Sequence, residues 1–125
     1  MRQHLILIFI GGGLGSATRY LLSRWIQNLT VSPFPWGTLT VNIFACFLFG
    51  LFIGFADQRG WMATSYRYFW VVGFCGGFST FSAFSGDMLA LTEKSLLAQS
   101  ALYALVSVGT CMAAVVAGLF LSERI

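Results

Sequence analysis

The sequence predicts an all-α membrane protein of four transmembrane helices, the third broken near its middle. Three observations predict it. Of 125 residues, 58% are hydrophobic and only 9% charged, against about 25% charged in an average soluble domain. Four apolar runs are each long enough to cross about 30 Å of hydrocarbon, which takes about 20 helical residues. The third run carries the string "CGGFSTFSAFSGD", Cys75 to Asp87, in which two glycines precede phenylalanines and hydroxyls that each recur every third residue.

The first run, about residues 4–24, opens with Arg2 and the signal-like "LILIFI". Polar and charged residues follow it without a break, so it reads as an uncleaved span. The second, about residues 36–56, follows the turn-forming "TVSPFP". The third, about residues 68–91, follows the charged connector "DQRGWMATSYR", and the fourth covers about residues 98–121. The connectors hold the turn formers and charges that the runs lack. Trp25, Trp36, Trp61 and Trp70 fall at or near span ends, where an amphipathic ring prefers the headgroup level. One four-helix domain, residues 1–125, accounts for the whole chain.

Composition also excludes function classes. A formal charge of +3 comes from scattered basic residues, several of which flank span ends, so nucleic acid is not a partner; membrane lipid is. Cys46, Cys75 and Cys111 each lie inside a span, which reads as packing rather than a disulfide framework or metal site. An enzyme is not expected, because His4 is the only histidine and no phosphate-binding loop occurs. Arg2, Arg59, Arg67 and Arg124 fall on one side, against Arg24, Lys94 and Arg19 on the other. So weak a bias under the positive-inside rule fits one topology with a faint signal, and it also fits insertion in both senses.

Glycines recur at four-residue spacing, as in Gly11 and Gly15, Gly50 and Gly54, and Gly73 and Gly77. Such faces let helices approach closely. Gly76 and Gly77, followed by Ser79, Thr80 and Ser82, go further and predict a break near residues 76–80. A break at that depth survives only where protein, water or an ion satisfies the freed backbone. A second copy of the chain would enclose it, and broken spans near the midplane are a recurrent device for ion sites.

Beyond the break, Phe81 and Phe84 share one helical face, with Ser79, Ser82 and Ser85 on a ridge beside it. Ring edges are electropositive, and next to hydroxyl donors they can line a path for a small anion; taken alone they are core packing. Asn42 is either a helix-to-helix clasp or a pore donor. Tyr103, Ser107 and Thr110 stand at i, i+4 and i+7, a hydroxyl track or a set of interhelical bonds. Arg19 and Asp87 are the charges nearest the hydrocarbon; either can reach the interface, and Arg19 can instead draw anions into a vestibule.

The strings "GGGLGSATRY" (Gly11 to Tyr20), "GTLTVN" (Gly37 to Asn42) and "GFCGGFSTFSAFS" (Gly73 to Ser85) resemble, in order and spacing, the signatures of the Fluc or CrcB family of fluoride channels. The resemblance implies an antiparallel, dual-topology homodimer in the bacterial inner membrane. Its implied function is passive, fluoride-selective export that relieves fluoride toxicity. It further implies a structural sodium ion on the dimer axis, held by the backbone carbonyls of Gly76 and Ser79 from both chains. Phe81 and Phe84 match the pore phenylalanines, Asn42 the pore asparagine and Arg19 the motif arginine. Two positions depart from the family pattern: Ser79 stands where Thr is usual, and Ala83 where a hydroxyl residue is common. The competing expectations are a small proton-coupled four-helix exporter, which needs a deep carboxylate, and a structural membrane subunit without transport of its own.

Overall fold

The computed structural model describes all 125 residues, and its regular structure is entirely helical. Helix α1 is Arg2–Gln27 and α2 is Trp36–Gln58. After a 3₁₀ turn at Trp61–Ala63, helix α3 begins with a π-wound stretch, Arg67–Cys75, that continues directly into one α turn, Gly76–Phe78. Helix α4 is Phe81–Glu93 and α5 is Leu97–Arg124. Three of these, α1, α2 and α5, are each long and apolar enough to cross a membrane. They make the chain a multi-pass membrane protein, and each extends a few residues past its apolar run.

The interruption between α3 and α4 lies at Ser79 (φ −85°, ψ 155°) and Thr80 (φ −152°, ψ 123°), both extended. The break therefore falls within the expected stretch, residues 76–80, at its hydroxyl residues rather than at its glycines. Gly76 is helical (φ −63°, ψ −35°), and Gly77 follows within the same turn. Gly77 serves a contact instead, since a Cβ there would collide with the Gly12 carbonyl oxygen of α1.

Glycine sets the spacing of the other helix pairs as well. A Cβ on Gly50 would strike the Val115 carbonyl oxygen, one on Gly118 the Phe47 carbonyl oxygen, and one on Gly54 the Ser122 hydroxyl. Positions rise together along the two helices, so α2 and α5 run parallel in backbone-to-backbone contact. The same logic pairs α1 with α3: Gly11 meets Phe69 and Gly73, and Gly15 meets Phe74 and Phe78. Hydrocarbon offers no hydrophobic drive to join helices, so close approach and the dispersion it permits supply the association.

Between α1 and α2 the chain is held by side chains, with the Thr30 and Ser32 hydroxyls accepting from the Ser32 and Phe34 amides and Gln27 making three bonds. Gln27 Nε2 donates to the carbonyls of Ser32 and Phe34, both at 3.2 Å, while its Oε1 accepts from the Gly37 amide at 3.0 Å. The turn therefore satisfies its own backbone. Buried contacts centre on α2. Val41 and Ala45 pack with Phe78 of α3, and Leu39 packs with Phe34, Leu91 and Tyr103. Outward faces remain apolar, with Phe9 82% and Leu105 75% exposed; surfaces of this kind require lipid or another protein against them.

The glycine contacts generate a test of the fold. Gly50→Leu should force α2 from α5 and lower stability by about 1–3 kcal/mol, the usual cost of overpacking, whereas Gly109→Ala, whose Cβ meets nothing within 4 Å, should be neutral. Unfolding in detergent by denaturant measures both.

Candidate ion pathway at the helix break

Asn42 projects from α2 directly onto the break. Its Oδ1 accepts from the Thr80 amide at 3.0 Å and its Nδ2 donates to the Thr80 carbonyl at 3.3 Å. One side chain thus pairs both polar groups of an extended residue as a neighbouring strand would. The clasp is observed, and because a primary amide carries two N–H groups, a second donor is left over.

Two carbonyls lose their helical donors through this arrangement. In an unbroken helix the Thr80 amide would bond to the Gly76 carbonyl, but it is given to Asn42. Likewise the Ala83 amide, which would bond to the Ser79 carbonyl, is given to the Thr80 hydroxyl at 3.1 Å as the N-cap of α4. Gly76 is exposed, and nothing lies within 4 Å of where its Cβ would be. Carbonyls in this condition suit a hard cation, which takes oxygen ligands; a sodium ion fits the donor set offered by Gly76 and Ser79. The neighbouring Gly77 carbonyl is already occupied, accepting from Arg19 Nε at 3.2 Å and from the Ser16 hydroxyl at 3.4 Å.

Beside the break lies a groove of about 250 Å³. Asn42 and Cys46 of α2, Phe81 and Phe84 of α4, and Ser107 and Cys111 of α5 line it, together with Ser79, Thr80 and Val108. The Phe81 and Phe84 rings sit 5.4 Å apart at 40°, and Phe84 in turn packs on Tyr103 at 5.0 Å. Phe81 is 78% exposed, an outward-facing ring at the groove's rim. Ser107 is 5% exposed, and its hydroxyl has no hydrogen-bond partner. A buried hydroxyl without a partner is unusual, and Ser107 is among the residues that line the groove.

A second cavity of about 140 Å³ shares Thr80 with the groove and includes Arg19, Thr38 and Ala83. It in turn shares Ser23, Arg24 and Thr38 with a third, of about 300 Å³, that holds Gln27, Asp87 and Lys94. The three cavities succeed one another from the break toward the α1–α2 turn, becoming more polar and more charged.

The structure brings Asn42, Phe81, Phe84 and Ser107 together and separates the rest of the expected track. The Thr110 hydroxyl turns back on its own helix, donating to the Val106 carbonyl at 2.6 Å, and Thr110 does not line the groove. Tyr103 is fully buried, its hydroxyl donating to Asp87 Oδ2 at 3.2 Å. Ser82 is exposed and its hydroxyl pairs with that of Thr80 at 3.1 Å. Arg19 is held at the break by the Gly77 carbonyl. Sequence reasoning missed Thr80 as clasp partner and cap, the Tyr103–Asp87 bond, and both groove cysteines. The cysteines were detectable, because Cys46 follows Asn42, and Cys111 follows Ser107, by four residues on the same helical faces.

The family described as CrcB-like protein, Camphor Resistance (CrcB), matches residues 6–119. The chain belongs to the CrcB family. Among CrcB relatives, a Rhizobium johnstonii protein named fluoride-specific ion channel FluC is 43% identical over 114 residues, 91% of each chain. Proteins of the same name from Agrobacterium fabrum and Bacteroides fragilis are 43% and 39% identical, each over 98% of both chains. The relatives thus span the groove, the break and all five helical elements.

The clasp yields a prediction independent of transport. Asn42→Ala removes both partners of Thr80 and should destabilise the protein by about 1–3 kcal/mol, the cost of leaving buried polar groups unsatisfied. Hydrogen exchange should localise the loss to the Thr80 amide; unchanged protection there would show that the clasp does not hold the break.

Proposed function

We propose that this chain is a fluoride-selective channel of the bacterial inner membrane, conducting fluoride passively outward and so relieving fluoride toxicity. The observation that carries the reading is the groove. It is lined by Phe81 and Phe84, by Ser107, whose buried hydroxyl has no partner, and by Asn42, which keeps a spare amide hydrogen. Weak donors and ring edges favour a small anion. No carboxylate lines the groove, which disfavours a proton-coupled exporter of cations, a device that needs an acid on the path. The names of the CrcB relatives supply the choice of fluoride.

The working unit in this reading is an antiparallel homodimer of four-span chains, with α3 and α4 as the two halves of the third span. The exposed Phe81 ring, the open face at Gly76 and the evenly divided charges support it. A two-fold axis in the membrane plane would bring both breaks together. The Gly76 and Ser79 carbonyls of the two chains would then hold a structural sodium ion, neutralising clustered carbonyl dipoles.

Purified protein in liposomes, under a potassium gradient clamped by valinomycin, should release fluoride and retain chloride. Phe81→Ile and Phe84→Ile should each cut fluoride efflux by at least about a hundredfold, about 2.7 kcal/mol of barrier. Wild-type rates in both single variants would remove the rings from the path. The dimer is tested separately at Gly76, where a side chain has free space in a single chain. Gly76→Leu should abolish dimerisation in detergent while helical content is kept. In a background lacking Cys46, Cys75 and Cys111, an Arg59→Cys variant should be labelled from both sides of the membrane. Labelling from one side alone would eliminate the antiparallel arrangement.

A further inference from the structure

The two groove cysteines have no part in the reading above, and their placement is specific. Asn42 and Ser107, Cys46 and Cys111, and Gly50 and Val115 each stand 65 positions apart, on parallel helices whose backbones touch at Gly50 and Val115. One turn before that contact the same register brings Cys46 to Cys111. Both line the groove. Cys75 is buried on α3 and does not line the groove.

We propose that Cys46 and Cys111 form a two-thiol site for a soft divalent cation of the mercuric kind, and that its occupation obstructs the groove beside Phe81 and Phe84. Thiolate sulfur selects soft metals, and two ligands on two helices pre-placed by glycine contact bind more tightly than one. On binding, each S–H bond is replaced by an S–Hg bond, two protons leave to water, and nothing is oxidised or reduced. Two thiolates cancel the cation's two charges, so the complex is neutral in an apolar setting where a net charge is costly.

The binding half of the proposal stands without the transport reading; the obstruction half rests on it. Hg²⁺ titrated into the detergent-purified Cys75→Ala protein, followed by mercury–thiolate absorption in the ultraviolet, should saturate at one ion per chain and consume two thiols. Cys46→Ala and Cys111→Ala in that background, with the near-isosteric Cys46→Ser and Cys111→Ser as a second pair, should each lose about a hundredfold in affinity, within the range expected for a second point of attachment. Undiminished affinity in these variants would overturn the site. In liposomes, Hg²⁺ should arrest fluoride efflux through Cys75→Ala, and a small dithiol should restore it. Normal efflux from protein shown by absorption to be loaded would overturn the obstruction. Absence of efflux before any Hg²⁺ is added would count against the channel reading and leave the thiol titration to decide the site.

Discussion

The two hydrogen bonds between the Asn42 side chain and the Thr80 backbone are the constraint on which the rest of the structure depends. An extended pair of residues inside an apolar span would leave backbone groups unsatisfied, at several kcal/mol for each group facing hydrocarbon. Asn42 removes that cost for Thr80 and so makes the break permissible. The consequences follow in sequence. Because the Thr80 amide leaves the helical ladder, the Gly76 carbonyl is freed. Since Thr80 is then extended, its hydroxyl can cap α4 at Ala83, which frees the Ser79 carbonyl. With α4 started afresh at Phe81, the rings of Phe81 and Phe84 lie at the groove rather than wherever a continuous helix would have carried them.

For one asparagine to have this effect, α2 must stand at a fixed height and rotation. The glycine contacts provide it. Gly50, Gly54 and Gly118 bring α2 and α5 backbone to backbone, while Gly11, Gly15 and Gly77 do the same for α1 and α3. Such contacts leave little freedom to slide, because a shift of one residue would put a side chain where only hydrogen fits. The site is therefore built on rigid elements with their register set elsewhere, which is how precise constellations are held. Arg19 and Ser16 belong to the same logic, fastening α1 to the Gly77 carbonyl just ahead of the break.

Apolar run length made the helices legible in the sequence, and the density of hydroxyls after Gly77 made the break legible. The role of its glycines was not. Glycine is both a poor helix former and a small contact residue, and the choice depends on what lies opposite; for Gly77 that is Gly12, 65 positions away in the chain. Asn42 was visible as a buried amide, but its partner stands 38 positions on and no local pattern names it. Periodicity put Tyr103, Ser107 and Thr110 on one face of α5, yet a face does not specify a rotamer. Thr110 bonds to its own helix, a standing option for a hydroxyl at i−4, and Tyr103 reaches Asp87. Only Ser107 lines the groove with its hydroxyl left unpartnered.

The distribution of charge along the cavities bears on how an anion could be passed rather than trapped. Arg24 and Lys94 stand at the outer, most polar cavity, together with the carboxylate of Asp87. The inner groove contains no charged residue at all. A cation fixed in the groove would bind a small anion tightly and release it slowly, whereas conduction requires binding strong enough for entry and weak enough for exit. Ring edges, one spare amide hydrogen and one hydroxyl are donors of that intermediate kind. Arg19, the one cation near the break, gives its Nε to the Gly77 carbonyl, which turns part of its donor capacity to structure. On the proposed reading, the charged residues would gather anions at the mouth, and the weaker donors nearer the break would let them pass Phe84 and Phe81.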